Sequence, residues 1–184
     1  MVKCQCMNKK LLIIVDMQKD FIDGSLKNND TLKTVPIICK FISTWKDDIF
    51  YTLDTHKKNY LSTQEGVNLP ILHCVKNTDG HKLNKAIYDA IQKHKKLHKN
   101  NRYEIIEKPA FGYDGWKNQK LNNYNEVIFV GTRTDICVIS NVLALKNAYP
   151  EIRISVIENL CSGTTRKDHK CAIQIMKCNQ INII

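Results

Sequence analysis

Residues 11–16 read LLIIVD, an apolar run that ends in a carboxylate. Three more segments place a reactive side chain at or just after the end of such a run: IFYTLD (49–54), YEIIEK (103–108) and EVIFVG (126–131). Near-continuous Ile, Val, Leu and Phe is typical of strands buried on both faces of a parallel sheet. The carboxyl ends of these strands share one edge, where ligands bind. The side chains expected there are Asp16, Asp54, Lys108 and Cys137.

Strand patterns alternate with helical patterns along the rest of the chain, which indicates repeated βαβ units. Strands are predicted at 11–16, 48–54, 103–107, 126–130, 152–156 and 180–184, and helices at 31–46, 83–98, 114–122, 136–148 and 166–177. We predict a three-layer α/β fold, in which a parallel sheet of about six strands carries helices on both faces. Residues 11–184 are expected to form a single domain and residues 1–10 a flexible N-terminus.

The composition favours a compact cytoplasmic protein. The 184 residues are 43% hydrophobic, enough to bury one core. No apolar stretch approaches the roughly eighteen residues of a membrane span, and MVKCQCMNKK lacks the apolar region of a signal peptide. Eight scattered cysteines favour reduced thiols over a disulfide framework. Cys4 and Cys6 are spaced for a metal but have no second pair nearby, so we assign them to the flexible N-terminus.

A net charge of +10 raises the question of a nucleic-acid partner. Much of the excess lies in KHKKLHKNNR, residues 93–102, which contains no interleaved aromatic residues and no Gly-rich loop. Cations late in a helix complement the helix dipole. We interpret this stretch as the solvated end of a helix and expect neither a nucleic-acid nor a membrane partner.

Cys137 lies in GTRTDICVISNVLALKNA, where a strand ends and an apolar helical face begins at Ile136. Thr134 or Asp135 is expected to cap that helix. The dipole and N–H groups of a first helical turn lower the pKa of a thiol, and the same N–H groups can stabilise an oxyanion. The alternative is a buried structural cysteine, the usual role of a lone one.

Two other strand ends carry charges that bear on this thiol. Pro109 disfavours helical geometry at Lys108, so the lysine stays extended and its ammonium can reach a nearby thiol or carboxylate. Asp54 and His56 alternate along extended backbone and can point the same way, which suggests a metal beside the nucleophile. The ordinary alternatives are a solvated Lys108 and a turn or capping role for Asp16.

Six motifs that span residues 11–184 carry a family resemblance. They are IIVDMQKDF around Asp16, LDTH at Asp54 and His56, NLPILHCV around His73, EKPAFG at Lys108, GTRTDICV at Cys137 and the late CSGTTRKDHKCAIQIM. The sequence resembles the isochorismatase-like cysteine hydrolases, and among them the nicotinamidase branch.

The resemblance implies a catalytic triad of Asp16, Lys108 and Cys137. Cys137 would attack an amide carbonyl, and Asp16 would move the protons. Backbone N–H groups of Arg133 and Cys137 would form the oxyanion hole, helped in this family by a non-proline cis peptide near Thr132 and Arg133.

The resemblance also implies one divalent metal ion, zinc first, with iron or manganese as alternatives. Its ligands would be Asp54, His56 and His73, and Glu65 sits where some relatives supply a fourth. In the nicotinamidase branch this ion receives the pyridine nitrogen of the substrate. The ordinary alternatives are an exposed loop position for Glu65 and surface or core positions for the histidines.

The substrate pocket departs from the family pattern. Phe21 matches the aromatic residue near the substrate ring, but KPAFGYDGW replaces a Ser-Ala-Phe segment of many nicotinamidases. Phe111, Tyr113 and Trp116 either form an aromatic wall or pack in the core. Arg133 stands where relatives commonly have a small or aliphatic residue, so its side chain faces a carboxylate substrate, solvent or another subunit.

The sequence is compatible with three functions. The first is a metal-dependent nicotinamidase, and the second is a related cysteine amidase acting on another small amide or an N-carbamoyl amine. The third is a catalytically silent interaction protein, which the retained triad disfavours. An isochorismatase proper is disfavoured because its vinyl-ether hydrolysis uses no cysteine nucleophile. We expect a small-molecule amide substrate and a homo-oligomer.

Overall fold

The computed structural model describes residues 9–184, which form a three-layer α/β structure. At its centre is a six-stranded sheet in which all neighbouring strands run parallel. The strands are β1 (Lys10–Val15), β2 (Asp48–Asp54), β3 (Tyr103–Lys108), β4 (Glu126–Thr132), β5 (Arg153–Ser162) and β6 (Asn182–Ile183). The predicted fold class is confirmed. Most of the predicted flexible N-terminus, with Cys4 and Cys6, lies outside the described residues.

The strand order β3-β2-β1-β4-β5-β6 places the first strand at the centre of the sheet. β1 pairs with β2 on one side and with β4 on the other. The connections therefore wind outward in opposite directions from β1 and β4. In such a sheet the loops after the two central strands separate and leave a crevice at the carboxyl edge.

Polar side chains begin the three longest helices. Asn28 accepts hydrogen bonds from the N–H groups of Asp30 and Thr31, and Asn84 and Thr165 cap two later helices in the same way. The helices are α1 (Lys19–Ile22), α2 (Asn29–Thr44), α3 (Gln64–Asn68), α4 (Lys85–Leu97), α5 (Ile139–Ala148) and α6 (Arg166–Cys178). Two 3₁₀ helices (Tyr60–Ser62 and Asp114–Gln119) and a π-helical turn (Thr134–Val138) complete the structure of this part of the chain.

Successive residues of β1 point to opposite faces of the sheet and feed two apolar cores. Ile13 belongs to the core that includes residues of α5 and α6, and Ile14 belongs to the core that includes residues of α2 and α4. Both side chains are fully buried. Each such burial contributes roughly 1.5–3 kcal/mol. The two-sided burial explains why the strands read as continuous apolar runs.

Several element bounds differ from the sequence-based predictions. β5 continues to Ser162, well past the predicted end at residue 156. The helix predicted at 114–122 is a 3₁₀ helix over Asp114–Gln119. α1, α3 and the 3₁₀ helix Tyr60–Ser62 were not predicted, because each is five residues or shorter and carries no periodic pattern.

The basic stretch 93–102 is largely the solvated helix end that the sequence predicts, since Lys93, Lys95 and Lys96 are exposed. His94 is the exception. Its ring is buried, with Nδ1 2.7 Å from the Tyr103 hydroxyl and Nε2 3.0 Å from the Trp45 carbonyl oxygen. Among residues 9–184, no helix has both the length and the apolar character that crossing a membrane requires.

Candidate active site

The carboxyl edge of the sheet brings three charged side chains together. Asp16 follows β1 directly, and Asp54 and Lys108 are paired at the ends of β2 and β3. Lys108 Nζ lies 2.6 Å from Asp16 Oδ2 and 3.8 Å from Asp54 Oδ1. The side chains of Asp16 and Lys108 are completely buried. The pair is therefore an internal ion pair, which excludes a solvated Lys108.

Asp16 is oriented by Thr52, a residue that no motif in the sequence marks. The Thr52 hydroxyl donates a 2.5 Å hydrogen bond to Asp16 Oδ1 and accepts one from the Asp16 N–H at 3.2 Å. Asp16 itself has a φ of +48°, a left-handed conformation that turns the chain sharply after β1. Thr52 lies two residues before Asp54 on the same strand, so the alternation of β2 places it on the same face.

Burial and charge act against each other on the ion pair. Burial raises the pKa of Asp16, and the nearby Asp54 raises it further, while Lys108 and the Thr52 hydrogen bond lower it. Burial alone would lower the pKa of Lys108, but Asp16, Cys137 and Asp54 together raise it above its usual value. Lys108 therefore keeps its proton, and Asp16 is a stronger proton acceptor than an exposed carboxylate.

Cys137 lies in the π-helical turn that follows β4 and is 6% exposed. Burial raises the pKa of its thiol well above the usual value; Lys108 lowers it, whereas Asp16 and Asp54 raise it. This direction is opposite to the acidic thiol that a helix-start position beside Lys108 predicts, because burial and the two carboxylates outweigh the lowering by Lys108. The thiol keeps its proton in the resting site, with the Asp16 carboxylate close by to accept it.

The residues expected to cap the Cys137 turn have other partners. The Thr134 hydroxyl lies 2.8 Å from His169 Nδ1, and Asp135 Oδ1 accepts a hydrogen bond from the Thr164 N–H. The peptide between Thr132 and Arg133 is cis, as the family resemblance implies. The Arg133 guanidinium donates to the Leu26 carbonyl oxygen at 2.8 Å, so its contact is with the segment between α1 and α2.

Asp54, His56 and His73 form a buried cluster whose candidate ligand atoms all lie within 4.8 Å of one another. Asp54 Oδ2 is 2.9 Å from His56 Nε2 and 3.5 Å from His73 Nε2. Glu65 Oε1, from α3, is 3.5 Å from His56 Nε2 and 4.0 Å from His73 Nε2. The structure therefore brings together all four residues that the sequence analysis selected for a metal.

The donor atoms of this cluster fit a divalent metal ion. His56 Nε2 is buried and, although it lies 2.9 Å from Asp54 Oδ2, it makes no hydrogen bond among residues 9–184. His73 Nδ1 donates to the Ile71 carbonyl oxygen at 2.7 Å, so in the neutral ring Nε2 is the nitrogen available as a ligand. Burial would raise the pKa of Asp54, but His56, His73 and Lys108 hold it below the usual value, so the carboxylate stays ionised. Two nitrogen donors and carboxylate oxygens suit zinc, iron or manganese.

Gln18 is a second residue that the sequence analysis missed. Its side chain accepts a hydrogen bond from the Asp54 N–H at 2.8 Å and donates to the carbonyl oxygens of Asp54 and His81 at 2.8 and 2.9 Å. These bonds fix the backbone of Asp54 relative to the segment after β1. The only available signal was its position two residues after Asp16, in VDMQ.

The aromatic residues selected for a substrate pocket separate into two groups. The Phe21 ring lies edge-on to His73, with ring centroids 5.6 Å apart, and Phe111 is 45% exposed in the loop after Lys108. Trp116 is 1% exposed and packs edge-on against Tyr113 and Phe129 inside the core. Trp116 therefore packs in the core, which is the second of the two roles that the sequence leaves open for it.

Comparison with known proteins agrees with this geometry. The isochorismatase domain family matches residues 10–184, so the chain belongs to the isochorismatase family and is a hydrolase. It is 28% identical over 174 residues to the nicotinamidase of Saccharomyces cerevisiae, with 73% of this chain and 80% of that protein covered.

Solved structures share the fold over nearly the whole chain. The pyrazinamidase/nicotinamidase of Streptococcus mutans UA159 superimposes with a TM-score of 0.80 at 24% identity, covering 96% of this chain and 100% of that one. The pyrazinamidase of Pyrococcus horikoshii in complex with zinc gives a TM-score of 0.74 at 24% identity, covering 96% and 98%.

Proposed function

We propose that this hydrolase is a cysteine-dependent amidase whose leading substrate is nicotinamide, which it converts to nicotinate and ammonia. The observation that supports this most is the buried Asp16–Lys108 ion pair, 2.6 Å long, beside the Cys137 thiol. Burying two charges costs several kcal/mol per ion before their attraction is counted. A silent interaction protein gains nothing from such a pair, whereas an enzyme uses it for proton transfer. The similarity to a yeast nicotinamidase supports the amide class.

The proposed reaction proceeds in two stages through a thioester. Asp16 takes the Cys137 proton as sulfur attacks the amide carbonyl, and then delivers that proton to the departing ammonia. In the second stage Asp16 takes a proton from water, the hydroxide attacks the thioester, and Asp16 returns the proton to the Cys137 thiolate. Lys108 remains an ammonium throughout and stabilises the negative charge. The N–H groups of Arg133 and Cys137 are proposed to bind the oxyanion.

Asp54, His56 and His73 would hold a divalent metal ion, with Glu65 as a fourth ligand. Zinc is the proposed metal, supported by the zinc complex of the Pyrococcus horikoshii pyrazinamidase. When bound, the ion supplies a Lewis-acid site for a ring nitrogen of the substrate. Phe21, whose ring contacts His73, and Phe111 are proposed to flank that ring.

Ammonia release from a panel of amides tests the substrate. Nicotinamide and pyrazinamide should be hydrolysed, and benzamide, which has the ring and the amide but no ring nitrogen, should be a much poorer substrate. Cys137→Ala should stay folded by circular dichroism and lose at least about a thousandfold in kcat, because nucleophile, base and cation act as one unit.

Two outcomes of that assay would change the assignment. A folded Cys137→Ala protein with wild-type turnover would refute the nucleophile. If the protein hydrolyses an N-carbamoyl amine or an aliphatic amide but not nicotinamide, the function is that of the related cysteine amidase and not of a nicotinamidase.

Metal analysis of the purified protein tests the ligand set directly. We expect about one divalent ion per chain in the wild-type protein and almost none in His56→Ala/His73→Ala, which removes both nitrogen ligands. His98→Ala is the matched control, since His98 lies at the end of α4, outside the cluster. Equal metal content in the double variant and the wild-type protein would rule out this site.

A further inference from the structure

Asn141 is a fully buried amide in α5, four residues after Cys137. Its Nδ2 donates to the Cys137 carbonyl oxygen at 2.8 Å and to the Phe111 carbonyl oxygen at 3.0 Å. Its Oδ1 accepts from the Tyr113 N–H at 3.0 Å. The Asn141 side chain therefore links, through hydrogen bonds, the turn that carries Cys137 and residues 109–113, which are called the 109–113 loop below.

The 109–113 loop also contacts the buried ion pair. Lys108 Nζ donates to the Ala110 carbonyl oxygen at 3.1 Å, in addition to its contact with Asp16. On its other side the loop runs close to α5, where a Cβ atom on Gly112 would lie 3.3 Å from the Ser140 carbonyl oxygen. The loop is therefore attached to Lys108 at one end and to Asn141 at the other.

An amide at position 141 is chemically unusual for its surroundings. Its buried neighbours in α5, Val142 and Leu145, are apolar core residues. A buried amide is unfavourable in such a place unless it is hydrogen-bonded. Asn141 is bonded through both ends of its amide, and two of its three partners belong to the 109–113 loop. Its contacts therefore serve the position of the loop rather than the packing of the helix.

Phe111 lies between the two attachments of this loop and is the residue whose position depends on them. Its carbonyl oxygen is held by Asn141, while its side chain is 45% exposed. The next anchor is Tyr113, whose N–H is held by Asn141 and whose ring packs on Trp116. Because nearly half of the Phe111 side chain is exposed, the hydrogen bond to its backbone carbonyl is a main restraint on where its ring lies.

We propose that Asn141 is a positioning residue that holds Phe111 against the ring of a planar amide substrate, an inference that rests on the proposed amidase function. Asn141 acts through the backbone of the 109–113 loop and touches neither the substrate nor the thiol. Its loss should weaken the binding of ring-bearing amides more than it slows the chemical step.

Steady-state kinetics on nicotinamide test the proposal with three variants of the same helix. Asn141→Ala should raise KM about tenfold, the equivalent of one or two lost hydrogen bonds, with a smaller change in kcat. Asn147→Ala, at an exposed position of α5, should change neither constant. Val142→Ala should lower the Tm without raising KM, because it empties core space but leaves the loop attached.

A double-mutant cycle with Phe111→Ala shows whether Asn141 acts through Phe111. The Asn141→Ala/Phe111→Ala protein should have a KM no higher than Phe111→Ala alone. A KM equal to the product of the two single effects would overturn the proposal, as would an unchanged KM in Asn141→Ala. Asn141→Asp keeps the acceptor for Tyr113 but sets a carboxylate against two carbonyl oxygens. Asn141→Asp should raise KM at least as much as Asn141→Ala does. If Asn141→Ala does not fold, Asn141→Asp takes its place in the test.

Amide hydrogen exchange gives a readout that does not depend on catalysis. In Asn141→Ala the Tyr113 N–H should exchange at least about tenfold faster than in the wild-type protein, and in Val142→Ala it should not. Unchanged exchange in folded Asn141→Ala would overturn the positioning role. A wild-type protein that hydrolyses no amide would refute the proposed function instead, and the exchange result would still decide whether Asn141 holds the loop.

Discussion

The Thr52 hydroxyl is the smallest group on which the chemistry of the site depends. It donates to Asp16 Oδ1 at 2.5 Å and lowers the pKa of a carboxyl that burial raises. Thr52→Val keeps the shape and removes this bond, so the pKa of Asp16 should rise. Because Asp16 accepts the thiol proton only when ionised, the acid limb of the kcat/KM profile should move to higher pH by roughly one unit.

The pH–rate profile of three proteins checks this prediction. Thr52→Ser retains the hydroxyl and should keep the wild-type profile, which separates the hydrogen bond from the packing of the methyl group. A Thr52→Val profile that coincides with that of the wild-type protein would show that Thr52 does not tune the proton acceptor.

Single residues were predictable where the local sequence contains the cause. The locations of Asp16 and Lys108 are predictable because both residues end apolar runs, and the carboxyl ends of parallel strands lie at one edge of the sheet. The roles of Thr52 and Asn141 are not, because Thr52 bonds to a residue 36 positions away and Asn141 to one 30 positions away, and no local pattern marks such pairs. The acidity of Cys137 was predicted in the wrong direction for the same reason. The sequence places Asp16 and Asp54 at the same sheet edge as Cys137, but it does not show how completely the thiol is buried, and burial is the largest cause of its raised pKa.

At the scale of elements, the prediction succeeded where burial on both faces imposes an uninterrupted apolar run. β1, β2, β3 and β4 agree with the predicted bounds within about two residues, an ordinary uncertainty at element ends. The length of β5 was underestimated, because its second half, IENLCS, mixes polar and apolar residues. That half belongs to the sheet through pairing with β4 after a register irregularity between Phe129 and Gly131.

The structure of the segment between β2 and α4 is not predictable from sequence patterns. It contributes Glu65 and His73 to the metal cluster, yet its helices are only three and five residues long. Tertiary contacts hold it in place. The Tyr60 ring packs with its centroid 4.5 Å from that of His56 and 4.9 Å from that of His73, and the Tyr60 hydroxyl donates to the Leu69 carbonyl oxygen. Such a segment has no periodicity to read.

At the scale of the whole molecule, the site exists only when the sheet is complete. The ends of β1, β2 and β3, the turn after β4 and the segment before α4 each supply part of it. The organisation of residues 11–184 as a single domain, the homo-oligomeric state, the cytoplasmic location and the lack of a nucleic-acid partner stay predictions from the sequence.

The stability of the whole fold should fall at alkaline pH through buried tyrosines. Burial raises the pKa of Tyr51, on β2, to about 12, whereas an unfolded tyrosine titrates near 10. Because the folded state favours the neutral phenol, Tyr51 contributes stability that is fully present below about pH 10. That contribution is lost as the pH rises towards 12, since the unfolded chain releases its proton first.

Tyr51→Phe keeps the ring and removes the ionisable group, so its stability should decline less steeply across this window. Urea denaturation of both proteins at a series of pH values between about 8 and 12 measures the difference, with the value near pH 8 as the reference for each protein. Burial also raises the pKa of Tyr60 to about 12, so the stability of Tyr51→Phe should still decline in part over this pH range. Parallel stability curves would show that the Tyr51 phenol titrates alike in the folded and unfolded chains, as it would if the cleft beside Tyr88 admits water to its hydroxyl.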